Sequence, residues 1–158
     1  MDDRVSNYFK QRGLPLKARF TGEDTSTVQK AAAVLGVEDG QIAKSLALQI
    51  KEEDAPAGVG VLVTMGTARL DNRKFKDTFH CKAKMLSMEE TLEATGFPVG
   101  GVCPFALPEG VPVFLDESLK QYKTVYPAAG TRDSAVEVET EKFAEYTGGR
   151  WVDVCKED

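Results

Sequence analysis

The stretch Gln41-Ile42-Ala43-Lys44-Ser45-Leu46-Ala47-Leu48-Gln49-Ile50 decides how the rest of the chain is read. Ile42, Lys44, Leu46, Leu48 and Ile50 share one parity, and Ala43, Ser45, Ala47 and Gln49 share the other, which is the alternation of an extended strand. A strand is therefore expected over 42–50. The alternation puts Lys44 on the more apolar face. Removing an ammonium from water is costly unless it is paired or neutralised, so Lys44 is a site candidate. The competing reading is a packed stem whose head snorkels out at the strand end or meets one carboxylate.

Upstream, Val5, Tyr8 and Phe9 recur at helical spacing and predict a helix over 3–12 that Gly13 ends. A short strand is expected at 16–20. Val28, Ala31, Ala32 and Leu35 then mark a helix capped by Thr25 or Ser26 and closed by Gly36. Downstream, a turn-rich connection over 52–58 leads to a buried strand at 59–65, and Phe75 and Phe79 suggest a short helix capped near Asp71. Cys81, Ala83 and Met85 alternate as a further strand. Ser87 and Glu90 have capping-box spacing for a helix that starts at Met88 and stops at Gly96. Beyond it, strands are expected at 111–115, 124–126, 135–138 and 151–154. A helical turn is expected around Leu119 and Tyr122, and a last helix carries Phe143 and Tyr146.

After residue 96 the spacing is too irregular for repeated βαβ units. The expected fold class is α+β, a mixed β-sheet with peripheral helices. A chain of 158 residues is the usual size of one domain, here spanning 1–158. Apolar residues at 42% and charged residues at 28% are ordinary for a folded globular chain.

No apolar run is long enough to span a membrane, and Met1-Asp2-Asp3-Arg4 lacks the basic start of a signal peptide, so a cytoplasmic location without membrane contact is expected. Cys81, Cys103 and Cys155 are widely separated without CxxC spacing, which predicts free thiols rather than disulfides or a zinc site. His80 is the only histidine, so no Ser-His-Asp set or multi-histidine metal site is available; it reads as an exposed surface residue, and neither metal nor cofactor is expected. A net charge of −5 argues against holding nucleic acid by general attraction, so any such partner must be gripped locally.

A second candidate is Phe97-Pro98-Val99-Gly100-Gly101-Val102-Cys103-Pro104-Phe105, where paired glycines permit unusual backbone angles and Pro104 restrains the far side. Such a loop can present backbone amides to an oxyanion, or it is simply a tight connection. Cys103 has no histidine in a recognisable partner motif. Tyr126-Pro127-Ala128-Ala129-Gly130-Thr131-Arg132-Asp133 is a small-residue turn suited to close approach by a ligand, and equally suited to being only a turn. Arg73, Lys74, Lys76, Lys82 and Lys84 form either a phosphate contact or a solvated face.

Together, Gln41 to Leu46, Ala94 to Phe105 and Tyr126 to Arg132 resemble, in order and spacing over roughly residues 20–155, the YbaK and prolyl-tRNA synthetase-associated editing-domain family. The resemblance implies a YbaK-like editing fold and hydrolysis of the ester of mischarged aminoacyl-tRNA, with the tRNA acceptor end as partner, a synthetase as a further partner, and no metal or cofactor. It carries the family lysine onto Lys44 and the Gly-x-x-x-Pro loop onto Gly100, Gly101, Val102, Cys103 and Pro104. Lys44 would then hold the aminoacyl ester or terminal ribose, and amides near Gly100 would stabilise the oxyanion. Thr27, Ser45, Ala128, Ala129 and Gly130 would contact substrate. Ala128-Ala129-Gly130 stands where relatives acting on cysteinyl esters often have Ser-Gly-Gly, and Ala135 where such relatives carry an aspartate, so the amino acid removed is left open. The competing readings are a noncatalytic tRNA- or synthetase-binding module of the same fold, and a Schiff-base lysine at position 44.

Overall fold

The computed structural model describes residues 4–51 and 55–156, and its elements follow the changes of period in the sequence. In chain order they are α1 (Arg4–Gln11), β1 (Ala18–Phe20), α2 (Val28–Leu35), β2 (Ile42–Gln49), β3 (Val59–Met65), α3 (Asn72–Phe79), α4 (Met88–Thr95), β4 (Val113–Asp116), β5 (Thr124–Pro127), β6 (Ser134–Val136), β7 (Val138–Glu139), α5 (Thr140–Thr147) and β8 (Arg150–Val152). Single 3-10 turns occupy Asp39–Gln41 and Glu117–Gln121. Asp3 of the expected first helix, the start of the chain before it, and residues 52–54 of the expected connection lie outside the described residues.

Local chemistry sets the helix ends. Ser87 Oγ accepts from Glu90 N at 3.1 Å while Glu90 Oε1 accepts from Ser87 N at 3.0 Å, and Gly96 closes α4 with φ of 77°. Asp71 Oδ1 accepts from Arg73 N and Lys74 N to start α3. The cap of α2 is Thr27, not Thr25 or Ser26: Thr27 Oγ1 accepts from Lys30 N at 3.3 Å. Thr25 is committed elsewhere, since its N–H and hydroxyl both donate to Arg132 O.

Two expected strands differ. The segment 81–85 forms only a bridge between Met85 and Leu48, because it must turn between the end of α3 and the cap of α4. The expected strand over 135–138 divides: Val136 pairs with Ala18 of β1 and Val138 with Val125 of β5. Glu137 between them turns outward and accepts from the Tyr126 hydroxyl at 3.1 Å.

The main sheet has the order β7-β5-β2-β3-β4-β8, and β1 and β6 form a separate antiparallel pair. Pairs β2/β3 and β5/β7 are antiparallel, whereas β2/β5, β3/β4 and β4/β8 are parallel, so the sheet is mixed. Residues directly opposite on neighbouring strands share a face. Ser45 lies opposite Val63 and Ala47 opposite Val61. That face packs on α1 through Val5 and Phe9, on α5 through Phe143, and on Val102, Cys103 and Phe105. Lys44 lies opposite Thr64 and Leu46 opposite Leu62, on the face that packs against Phe75 and Phe79 of α3.

Both faces of β2 are therefore covered. Ala43 and Ala47 are buried as completely as the aliphatic residues of the other parity. Phe105 anchors the first face, meeting Phe9 edge-on with ring centroids 4.9 Å apart and stacking near Phe143 at 6.1 Å. Phe105→Ala should lower unfolding free energy by about 3–5 kcal/mol, read from urea midpoints at constant slope.

Candidate functional site

The site begins as a gap in a sheet. Pairing of β2 with β5 covers only Ile42 opposite Tyr126 and Ala43 opposite Pro127. The same edge is next engaged where Leu86 N donates to Ala47 O and Gln49 N to Lys84 O. Ser45 lies in the interval between these contacts, and strand alternation turns its backbone groups toward that edge. A cavity of about 500 Å³ fills the space, walled by the edge of β2, the start of α2, the start of α4 and the glycine loop. Its walls are mostly small or apolar: Ala31, Ala43, Ala47, Met85, Met88 and Val102 among them. Thr25, Ser26, Thr27, Ser87, Thr91 and Ser134 add hydroxyls to the lining, and Ser45 Oγ differs from them in being a buried side-chain oxygen with no hydrogen-bond partner among the described residues. A hydroxyl kept from water without a partner costs free energy, and a ligand polar group would relieve it.

Lys44 also lines the cavity, but its ammonium leans to the α3 side of the sheet and donates to Ala68 O at 2.6 Å. Burial pushes its pKa below the ordinary lysine value, with nearby Cys155 opposing and Arg69 adding to the shift. The partner is a carbonyl dipole rather than a carboxylate. Cys155 is itself buried and pushed up to about 12, chiefly by desolvation and then by Asp116, so its thiol stays neutral.

Of the residues singled out in the sequence, Thr27, Lys44, Ser45, Gly100, Val102 and Ala128 reach the cavity lining. Gly101, Cys103, Pro104 and Ala129 are buried behind it, and Gly130 is partly exposed beyond it. Gly100 adopts φ of +90°, which favours glycine, and a Cβ there would stand 2.9 Å from Ser26 Cβ. Gly101 is needed for a different reason: its α-carbon lies against the Thr131 backbone, where a Cβ would stand 2.9 Å from the carbonyl carbon.

The 127–134 turn is held by Ser134 Oγ, which accepts from Ala129 N and Thr131 N. Thr27 is an exposed cap at the cavity edge, and Ala135 reaches the lining from β6. Cys103 and Cys155 are buried, Cys81 is half-buried, and all three are free thiols. His80 is exposed and ends α3 in the left-handed conformation. Lys74 is drawn to Asp153 and Cys155 O, while Arg73, Lys76 and Lys82 stand exposed beside α3, on the opposite side of the sheet from the glycine loop.

Sequence reasoning missed Met85, Met88 and Thr91 as cavity walls. Met85 and Met88 remain exposed around an otherwise well-formed cap, and exposed methionines flanking a capping box were the available signal.

The family model for the aminoacyl-tRNA editing domain matches residues 22–146. YwhH of Bacillus subtilis, an uncharacterised protein, is 43% identical over 134 residues, covering 84% of this chain and 83% of its own. EbsC of Enterococcus faecalis, whose name proposes a Cys-tRNA(Pro)/Cys-tRNA(Cys) deacylase, is 28% identical over 137 residues, covering 86% of this chain and 81% of its own. The crystal structure of hypothetical protein APE2540 superposes with a TM-score of 0.86 at 32% identity, covering 98% of this chain and 100% of that one. A crystal structure proposed to be a trans-editing enzyme for prolyl tRNA synthetase gives 0.85 at 30% identity, covering 98% and 96%.

With the curled mixed sheet and this cleft already in view, the chain belongs to the aminoacyl-tRNA editing-domain (YbaK/ProX) family, a family of trans-editing deacylases whose substrates are mischarged aminoacyl-tRNAs. Among the described residues no helix is long and apolar enough to cross a membrane.

Because the folded state holds Lys44 with a lowered pKa, the unfolded chain binds more protons between the folded and unfolded values. The penalty for charging Lys44 is full below its folded pKa and fades as pH rises toward the ordinary lysine value. Native protein should therefore gain stability relative to Lys44→Met over that alkaline window. Paired urea titrations across it would check the trend, and a constant difference would contradict it.

Proposed function

We propose that this protein is a cytoplasmic aminoacyl-tRNA deacylase acting in trans, hydrolysing the ester that joins a wrong amino acid to the terminal ribose. The observation that carries the reading is Ser45 Oγ, a buried and unpartnered hydroxyl in an apolar cavity bounded by Gly100. An aminoacyl group fits this chemistry: a compact side chain for the apolar part of the wall, and polar atoms for the unpartnered Ser45 hydroxyl.

An aminoacyl ester is already activated toward water, so positioning and charge stabilisation suffice without a histidine-based triad. In this reading water attacks the ester carbonyl and the backbone amides of the loop at Gly100 receive the developing negative charge. Gly101, Val102, Cys103 and Pro104 hold that loop from behind. Lys44 spends one N–H donor on Ala68 O, and its remaining donors are assigned to the ester or the terminal ribose. Thr27 and Ala128 border the aminoacyl group, with Ala129 and Gly130 supporting that side.

The test is release of amino acid from a panel of mischarged tRNAs. Native protein should turn over repeatedly on at least one member, and Lys44→Ala should slow that member by roughly a hundredfold, the cost of a lost positioning contact. Equal rates for the two proteins would remove Lys44 from the mechanism. Saturable binding without turnover anywhere on the panel would leave a noncatalytic binding module instead. Gly100→Ala, which forces a side chain into a left-handed position against Ser26, should likewise cut kcat by about tenfold or more while the protein stays folded by circular dichroism.

A further inference from the structure

Beside Gly100 of the cavity wall, though not itself among the lining residues, stands Arg132. Its main chain is fixed: its carbonyl accepts from Thr25 N at 2.8 Å and from Thr25 Oγ1 at 3.3 Å. Its neighbour Thr131 is braced by donation from Oγ1 to Asp133 Oδ1 at 2.6 Å. The side chain lies against the glycine loop, since a Cβ built on Gly100 would stand 3.2 Å from Arg132 Nε. Yet the guanidinium is spent on nothing: among the described residues Arg132 makes no side-chain hydrogen bond and no ion pair, and it is exposed. Lys30, on the first turn of α2, is by contrast already paired with Asp24 at 2.9 Å.

An unpaired guanidinium held against the loop proposed to receive the ester carbonyl has an evident use in a chain of net charge −5. In an aminoacylated strand, the phosphodiester of the terminal nucleotide lies one ribose away from the ester. A guanidinium presents a planar fork of donors that matches phosphate oxygens, and its charge is not lost at any working pH. We propose that Arg132 is a substrate-positioning residue that grips this phosphate and so sets the distance between the ester and Gly100. The inference rests on the deacylase reading and adds to it a local grip, which an acidic protein needs because general attraction to nucleic acid is absent.

Two hydrolysis-resistant probes test it: 3′-deoxy-3′-(alanylamino)adenosine, whose amide replaces the ester, and the same compound carrying a 5′-phosphate. Alanyl is small enough to enter the apolar cavity whichever larger side chain it prefers. By calorimetry, native protein should bind the phosphorylated probe roughly tenfold or more tightly than the other, as expected for a charge-assisted contact. Arg132→Gln should bring the ratio of the two dissociation constants close to one, and Arg132→Lys should restore part of it. On charged tRNA, Arg132→Gln should raise KM far more than it lowers kcat and reduce the salt slope of binding by about one. A native protein that shows no phosphate preference, or a ratio unchanged in Arg132→Gln, overturns the proposal. Failure of the deacylase reading would appear separately, as a phosphate preference governed by Arg132 in a protein that releases no amino acid from any charged tRNA.

Discussion

The structure turns on the partial pairing of β2. This strand is bonded to β3 from Ala43 to Gln49, but to β5 only at Ile42 and Ala43. A half-paired strand in the middle of a sheet is a liability, because free edge groups must find partners or water. The chain covers part of the edge with residues 84–86 and leaves the rest to a cavity. Everything placed around that cavity follows from the same opening: α2 and α4 start beside it, and the glycine loop crosses its end.

The opening also explains why Lys44 and Ser45, adjacent in sequence and opposed in direction, both reach one cavity. Within a fully paired strand they would be separated by the sheet. At an edge they flank it from either side. Lys44 is held by a carbonyl dipole and makes no ion pair among the described residues, and the Cys155 thiol beside it is kept neutral by burial and by Asp116. Its lowered pKa is thus the consequence of desolvation that no ion pair offsets.

Features written in local chemistry were legible beforehand. The capping box at Ser87 and Glu90, the Asp71 cap and the left-handed Gly96 depend on a few consecutive residues, and each appears where the sequence places it. The parity of 42–50 gave the strand and the face of Lys44, because alternation is a property of the strand itself. What alternation cannot give is what lies opposite. It therefore ranked the Ala43 face as the less apolar one, although α1, α5 and the 97–105 segment bury it. The Thr25 cap failed for the same reason, since its hydroxyl is claimed by Arg132 O, more than a hundred residues away. Ser45 was picked out through a family resemblance; that its oxygen lacks a partner depends on where β5 stops, which no local pattern encodes.

The two glycines of the loop divide a task that one could not perform. Gly100 supplies a backbone angle, and Gly101 supplies thinness, letting the loop lie directly on the Thr131 main chain. The second contact joins the loop to the 127–134 turn, whose own amides are gathered by Ser134 Oγ. Two separate connections thereby behave as one lip of the cavity. A loop that carried Gly100 alone could reach the same angle but would stand off from Thr131, and the distance from its amides to the wall at Ser45 would then be set by solvent and thermal motion. Close contact between backbones replaces that freedom with a fixed spacing, which is what positioning any small ligand in a wide cavity requires.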